Sequence, residues 1–328
     1  MKLSIVVPVY NVENYILDCL NSIYSQSCNS YEVIFIDDRG EDSSIEIIKN
    51  FIKEKNINNF KIVVQEKNSG LSEARNRGID EAKGEYITFL DSDDLLEKKC
   101  LQNIIKKLEE YDVDLLELKV NEISETDINI KVETKPKNDT VIMTGENYFN
   151  EMCKNNSYLP MACGKIYKTN LLKEKNYFSA GLMFEDEEFL PRVLISAEKV
   201  KYVDLPFYIY RRRNGSITTN MMKNNKWLYS YLVIIDKLSN YAESLKNKET
   251  KNILLNRVAQ FCLSVLKNPV AYGATDTQIN EAIKIVKEKK LYKIPQERRN
   301  LFIKLQGYCM KNPDFFIKIY SKMIGVKR

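Results

Sequence analysis

No histidine occurs anywhere in the 328 residues. That absence removes a Ser–His or Cys–His nucleophile and a histidine-ligated zinc site. A general base must then be a carboxylate, Lys, Tyr or Cys, and a metal site must be oxygen-rich, which favours Mg2+ or Mn2+. No Cys-x-x-Cys pair exists among Cys19, Cys28, Cys100, Cys153, Cys163, Cys262 and Cys309. Scattered and odd in number, they read as free thiols of a reducing compartment. No apolar run approaches the roughly 18–20 residues that span a bilayer. The opening stretch Met1-Lys2-Leu3-Ser4-Ile5-Val6-Val7-Pro8 is too short for a signal peptide and has no small-residue cleavage site. It reads as a buried first strand, and the chain is expected to stay in the cytoplasm. Glycine fingerprints are missing too. After that strand comes Pro8-Val9-Tyr10-Asn11-Val12-Glu13, not Gly-x-Gly-x-x-Gly, and there is no P-loop, so a dinucleotide-dependent dehydrogenase is excluded. A sugar nucleotidyltransferase would also want a glycine-rich N-terminal loop.

What is present is an ordinary globular composition, 44% hydrophobic and 29% charged. Charge divides unevenly. Residues 221–328 hold 21 Lys+Arg and 8 Asp+Glu, a balance of +13, whereas residues 1–220 hold 29 and 37, a balance of −8. Such asymmetry predicts two functional regions, 1–220 and 221–328, the basic one suited to an anionic acceptor or membrane surface.

Pattern along the chain supports the same division. β-branched or apolar runs at 3–9, 31–36, 60–64 and 86–90 alternate with helical spacing at 12–26, 43–52 and 71–82. Strands alternating with helices predict an α/β fold with a mostly parallel, doubly wound sheet, whose ligand lies beyond the carboxyl ends of the strands. Residues 95–110 read as a further helix, 113–118 as a strand, 121–139 as an exposed hairpin or insertion, and 145–154 as a helix. Phe184–Leu194 reads as a helix that Pro191 kinks or breaks, followed by short strands at 200–203 and 207–211. After about Thr219 the pattern becomes all-helical, punctuated by Pro269, Gly273, Pro295 and Pro313.

Four motifs carry chemistry. Asp91-Ser92-Asp93-Asp94 ends a strand on the ligand edge, where two carboxylates one residue apart suit a hard cation bridging two phosphates. Glu185-Asp186-Glu187-Glu188 opens a helix and offers a carboxylate base for an acceptor hydroxyl. Gly70–Gly78 opens a helix with Arg75 and Arg77, a combination suited to phosphate. Tyr210-Arg211-Arg212-Arg213-Asn214-Gly215-Ser216 is a basic turn able to close on a diphosphate.

Taken in order, Ser4–Asn11, Ile36-Asp37-Asp38, Asn68–Asn76 and Leu90–Asp94 resemble the family 2 inverting glycosyltransferases of the A-type fold. Phe184-Glu185-Asp186 and Tyr210–Thr218 extend the resemblance over about residues 1–220. It implies that Pro8, Tyr10 and Glu13 line the nucleotide pocket, with Tyr10 against the base and Asp38 on the base edge, most often uracil. It implies Arg75 near the donor phosphates and Asp91, beside Ser92, on the donor ribose or sugar. Asp93 would bind Mn2+ or Mg2+, within a metal site that also takes in Asp91. Asp186 would be the catalytic base, with Glu185 its neighbour, and Arg212, Arg213 and Ser216 would cover the diphosphate. Where the family has Gly-Ser after the paired aspartates, this chain has Arg39-Gly40, and the helices after residue 220 have no counterpart in the family's shared core.

The expected reaction is a metal-assisted single displacement from a nucleoside-diphosphate sugar to a hydroxyl of a glycan or lipid-linked acceptor. Members of the family build capsules, lipopolysaccharides and other surface glycans. The basic tail, ending Phe315–Ile324, is expected to touch an anionic membrane or to form a packing or homodimer helix. Two alternatives are a catalytically inactive sugar-nucleotide-binding relative and a nucleic-acid-binding protein using the basic helices. The second leaves the acidic edge of residues 1–220 without a purpose, so no nucleic-acid partner is expected.

Overall fold

The structure, a computed structural model, describes residues 1–124, 131–132, 139–212, 226–298 and 300–325. It falls into two compact units. The first comprises Met1–Phe149, Tyr158–Gly181 and Glu185–Asn214, and the second Asn150–Ser157, Leu182–Phe184 and Gly215–Arg328. The sequence pattern sets the boundary after residue 220; compactness sets it at Asn214 and assigns two short earlier segments to the helical unit.

The first unit begins with β1 (Leu3–Val9), α1 (Ile16–Tyr24), β2 (Tyr31–Asp37), α2 (Ser44–Glu54), β3 (Phe60–Val64), α3 (Leu71–Glu81) and β4 (Tyr86–Phe89). These strands pair in parallel in the order β3-β2-β1-β4. Every residue of β1 and β2 is buried, as expected for apolar runs covered on both faces. Beyond this half the sheet is mixed. Here lie β5 (Leu95–Leu96), α4 (Leu101–Tyr111), β6 (Leu115–Ser124), β7 (Lys131–Val132), α5 (Gly145–Lys154), β8 (Lys165–Lys168), α6 (Thr169–Lys175), α7 (Glu185–Ser196) and β9 (Val200–Arg212). β8 runs antiparallel to β4 and β6, β9 parallel to β6, and β5 and β7 antiparallel on β9 and β6.

Five elements differ from the sequence reading. The helix expected over 95–110 starts only at Leu101, because Leu95 and Leu96 pair with Ile209 and Tyr208. The two short strands at 200–203 and 207–211 are one strand, whose Asp204-Leu205-Pro206 segment is taken up by register shifts around Lys119. Pro191 neither ends nor splits α7. β8 and α6 went unread, since four and seven residues are too few to show a period.

The second unit holds α8 (Lys226–Ser244), α9 (Lys248–Ala271), α10 (Asp276–Glu288), α11 (Lys293–Gln296), α12 (Leu301–Met310) and α13 (Pro313–Met323). α9 is its centre and packs against all five others. Side chains written into the sequence stop and start these helices. Asn247 caps α9, Thr275 and Gln278 form a capping box on α10, and Asn300 and Asn312 cap α12 and α13.

One close approach in the first unit fixes where α3 lies. A Cβ on Gly78 would sit 2.1 Å from Cγ1 of Val6, a buried residue of β1, so α3 rests on the strand at a distance only glycine allows. Gly78→Ala should lower stability by about 1–3 kcal/mol, the cost of overpacking a filled core. Urea unfolding measures it, and an unchanged midpoint would mean that the helix sits less tightly than described.

Candidate active site

β1, β2 and β4 all point the same way, so their carboxyl ends bring Tyr10, Asp38 and Asp91 to one edge of the sheet. Two chain segments from elsewhere complete that edge: α3, held against β1 by Gly78, and the first turn of α7.

Arg75 projects from α3 and is buried, with 2% of its side chain exposed. One guanidinium nitrogen donates to Oε1 of Glu185 at 2.8 Å and to Oδ1 of Asp186 at 3.0 Å; the other donates to Oδ1 of Asp91 at 2.9 Å. Its plane lies beside the rings of Phe178 and Phe89, 5.2 and 5.9 Å from their centroids. The sequence reading put Arg75 at the donor phosphates. In the structure both terminal nitrogens are taken by carboxylates, so that three acidic groups from two distant segments gather around one cation.

One cation for three carboxylates leaves the cluster short of positive charge. Burial, reinforced by the charge of Asp186, pushes the Glu185 carboxyl up to about 7. Burial also raises Asp186, against the opposing pull of Arg75 and of the Ala162 N–H, which donates to Asp186 Oδ2 at 2.9 Å. Tyr167 donates to the Ala162 carbonyl and pins that residue. Phe184, immediately before α7, has a φ of 61°, a conformation rare for an aromatic residue, so the chain enters the helix through a constrained turn.

The Asp91–Asp94 stretch is anchored at both ends. Asp91 Oδ2 accepts from the thiol of Cys163 at 3.4 Å. Asp94 is buried; it accepts from the Tyr208 hydroxyl and, at 2.7 Å, from the Arg211 N–H. Burial, with Asp93 and Asp91 nearby, raises its carboxyl well above the usual range. Arg211 also donates to the Asp93 carbonyl at 3.0 Å and to Asp18 at 2.8 Å, with its guanidinium over Tyr15. Ser92 is buried and Asp93 half-buried. Tyr208, Ala162 and Cys163 had no signal in the sequence, because β9 and the segment leading into β8 reach the site only through tertiary pairing, whereas Arg211 stood out only as part of a basic turn.

A second group forms at the ends of β2 and β3. Asp38 is buried; its Oδ1 accepts from Gln65 and from the Ser69 N–H, and its Oδ2 from the Gly70 N–H at 2.9 Å. A carboxylate has about four acceptor positions, so one remains on Oδ2. Arg39, the departure noted above, takes a φ of 59° and donates to the Gln65 carbonyl, tying the ends of β2 and β3 together. Pro8 is buried within β1, Tyr10 is exposed beyond its end, and Glu13 accepts from the Ser43 N–H ahead of α2. Arg212 is exposed and pairs with Glu122 on β6, so the structure does not bring it to the Arg75 cluster. Arg213 and Ser216 lie outside the described residues.

Glu185 should also mark the pH dependence of stability. Its folded-state value of about 7 exceeds the ordinary 4.5, so its contribution is full below 4.5 and is lost as pH rises through 7. Glu185→Gln should flatten the fall in unfolding midpoint across that window. An identical slope in the variant would show that Glu185 titrates normally.

With the geometry established, known proteins can be compared. The profile of Glycosyl transferase family 2 matches residues 4–173. The chain is 30% identical over 286 residues to Glycosyltransferase GlyA of Streptococcus pneumoniae, which covers 84% of this chain but only 39% of GlyA. It is 31% identical over 220 residues to Glycosyltransferase GlyG of the same species, 66% of this chain and 72% of GlyG. In fold it is similar to the crystal structure of residues 1–349 of Staphylococcus aureus TarS in complex with UDP-GlcNAc. The TM-score is 0.76 at 23% identity, over 99% of this chain and 93% of that one. The likeness runs on through the helical unit, so those helices do have a counterpart in that relative. Fold, relatives and a profile covering more than half of the chain agree: this protein belongs to glycosyl transferase family 2, with the A-type glycosyltransferase fold.

Proposed function

We propose that the protein is an inverting glycosyltransferase that moves a sugar from a UDP-sugar to a hydroxyl of a glycan or lipid-linked acceptor in surface-polysaccharide synthesis. The observation that carries this is the Arg75 cluster, with Asp186 accessible beside Asp91. Side-chain exposure is 20% for Asp186 and 12% for Glu185, against 32% for Asp91. Asp186 is therefore the more reachable of the α7 pair, and Glu185 supports it from behind.

Each oxygen of Asp186 accepts one hydrogen bond from the protein, which leaves a lone pair for an acceptor hydroxyl. Burial makes the carboxylate more basic, while Arg75 keeps it from being protonated outright. Asp186 takes the hydroxyl proton as that oxygen attacks the anomeric carbon from the face opposite the nucleoside diphosphate, and configuration inverts. Asp38, Tyr10 and the edge of β1 hold the nucleotide, with the open acceptor position of Asp38 Oδ2 meeting a base N–H.

Asp93 suits Mn2+ or Mg2+. Such ions are held by one or two carboxylates together with substrate phosphates, and Asp93 stands at the mouth of the strand edge while Asp91 is engaged by Arg75 and Cys163. When bound, the ion would neutralise charge on the departing diphosphate.

The donor class draws support from TarS, named a poly(ribitol-phosphate) beta-N-acetylglucosaminyltransferase and solved with UDP-GlcNAc. None of the seven cysteines, all among the described residues, forms a disulfide, which supports a reducing, cytoplasmic setting.

Thermal stabilisation across a panel of nucleotide sugars, with and without Mn2+ or Mg2+, should single out one donor. With that donor, Asp186→Asn should lower turnover by about 10²–10⁴-fold while donor stabilisation persists. Asp93→Ala should weaken the metal-dependent part of that stabilisation. Near-parental transfer by Asp186→Asn would remove the base assignment.

A further inference from the structure

The helices of the second unit do not present the same kind of surface. α10 exposes only polar residues, from Asp276 to Glu288. α12 does the reverse: every exposed residue on it is apolar or aromatic, namely Leu301, Phe302, Leu305 and Tyr308. Their spacing places them on one side of the helix, while Ile303, Gly307 and Met310 face the core. α13, which packs against α12, carries Phe315, Ile319 and Met323 in a second exposed stripe at i, i+4 and i+8. Phe302 is 65% and Met323 72% exposed, far from the burial that such side chains ordinarily reach.

Charge accompanies this apolar surface. Lys318 and Lys322 are exposed beside the α13 stripe, half-buried Lys304 lies within α12 and exposed Lys311 follows it; between residues 301 and 325 the only acidic side chain is Asp314, which pairs with Lys287. We propose that the exposed face of α12 and α13 docks onto an anionic lipid bilayer, the apolar side chains entering the headgroup boundary and the lysines meeting lipid phosphates. Among the described residues no helix is long and apolar enough to cross a membrane, so contact is in the plane of the surface. Lysine stems lie along apolar surface while their ammonium groups reach the phosphates. A second copy of this chain fits less well, because a two-fold interface on this face would set lysines against lysines with one carboxylate per copy already engaged. The inference is independent of the reaction proposed above.

The test uses the full chain with vesicles of phosphatidylcholine alone and of phosphatidylcholine mixed with phosphatidylglycerol. Two double variants change only exposed positions: Phe302→Glu with Met323→Glu, and Lys318→Gln with Lys322→Gln. Circular dichroism checks that both remain folded, and light scattering gives the mass of each. Co-sedimentation should occur on the mixed vesicles and much less on the neutral ones. The glutamate pair should lower the partition by about tenfold or more, and the glutamine pair by roughly fivefold for each lysine removed. Equal partition of parent and glutamate variant would overturn the proposal. So would a parent that ignores both vesicles and forms a dimer which the glutamate variant splits, since the face would then belong to a second copy.

Discussion

A single buried guanidinium organises the chemistry of this protein. Arg75 joins Asp91, at the end of a sheet strand, to Glu185 and Asp186, which lie 110 and 111 residues beyond Arg75 in the chain. Without it, three carboxylates would lie together in a partly desolvated pocket, an arrangement that costs several kcal/mol in an unpaired state. With it, the repulsion is offset, and Asp186 keeps 20% of its side chain exposed. The aromatic walls of Phe89 and Phe178 keep the cation dry, which strengthens each of its ion pairs.

Everything that places Arg75 is ordinary packing. α3 lies on β1 at glycine distance, its first turn is tied by Gly70 and Ser69 to Asp38, and β4 delivers Asp91 beside it. The same Asp38 therefore links the end of β2 to the helix that carries Arg75. On the other flank, Tyr208 and Arg211 clamp Asp94 and fix the path of the acidic turn.

The parallel half of the sheet was readable because Leu3–Val9 and Tyr31–Asp37 are unbroken apolar runs, and such runs are wanted only where both faces are covered. The acidic turn after β4 and the Glu185-Asp186 pair were readable from composition and position. What joined them was not. Arg75 was singled out because an arginine near a helix start suits phosphate; nothing local discloses that α7 will arrive against it. Leu95-Leu96 and the Lys165–Lys168 strand are too short to carry a period, and both are set by partners in β9, β6 and β4. The long helices of the second unit were legible from their spacing and the Pro and Gly residues between them, and the tail Phe315–Ile324 was read as a candidate contact surface, but the exposed apolar side of α12 was not, since spacing alone does not say which side of a helix another will cover.

The central claim is that Arg75 keeps Asp186 ionised at the mouth of the site. The most direct measurement is the pH dependence of kcat/KM for sugar transfer in the parent and in Arg75→Gln. Loss of the cation should move the acidic limb of the profile to higher pH, because a buried carboxylate without its partner holds its proton more tightly. An acidic limb at the same pH in both proteins would show that the base is not the carboxylate that Arg75 holds.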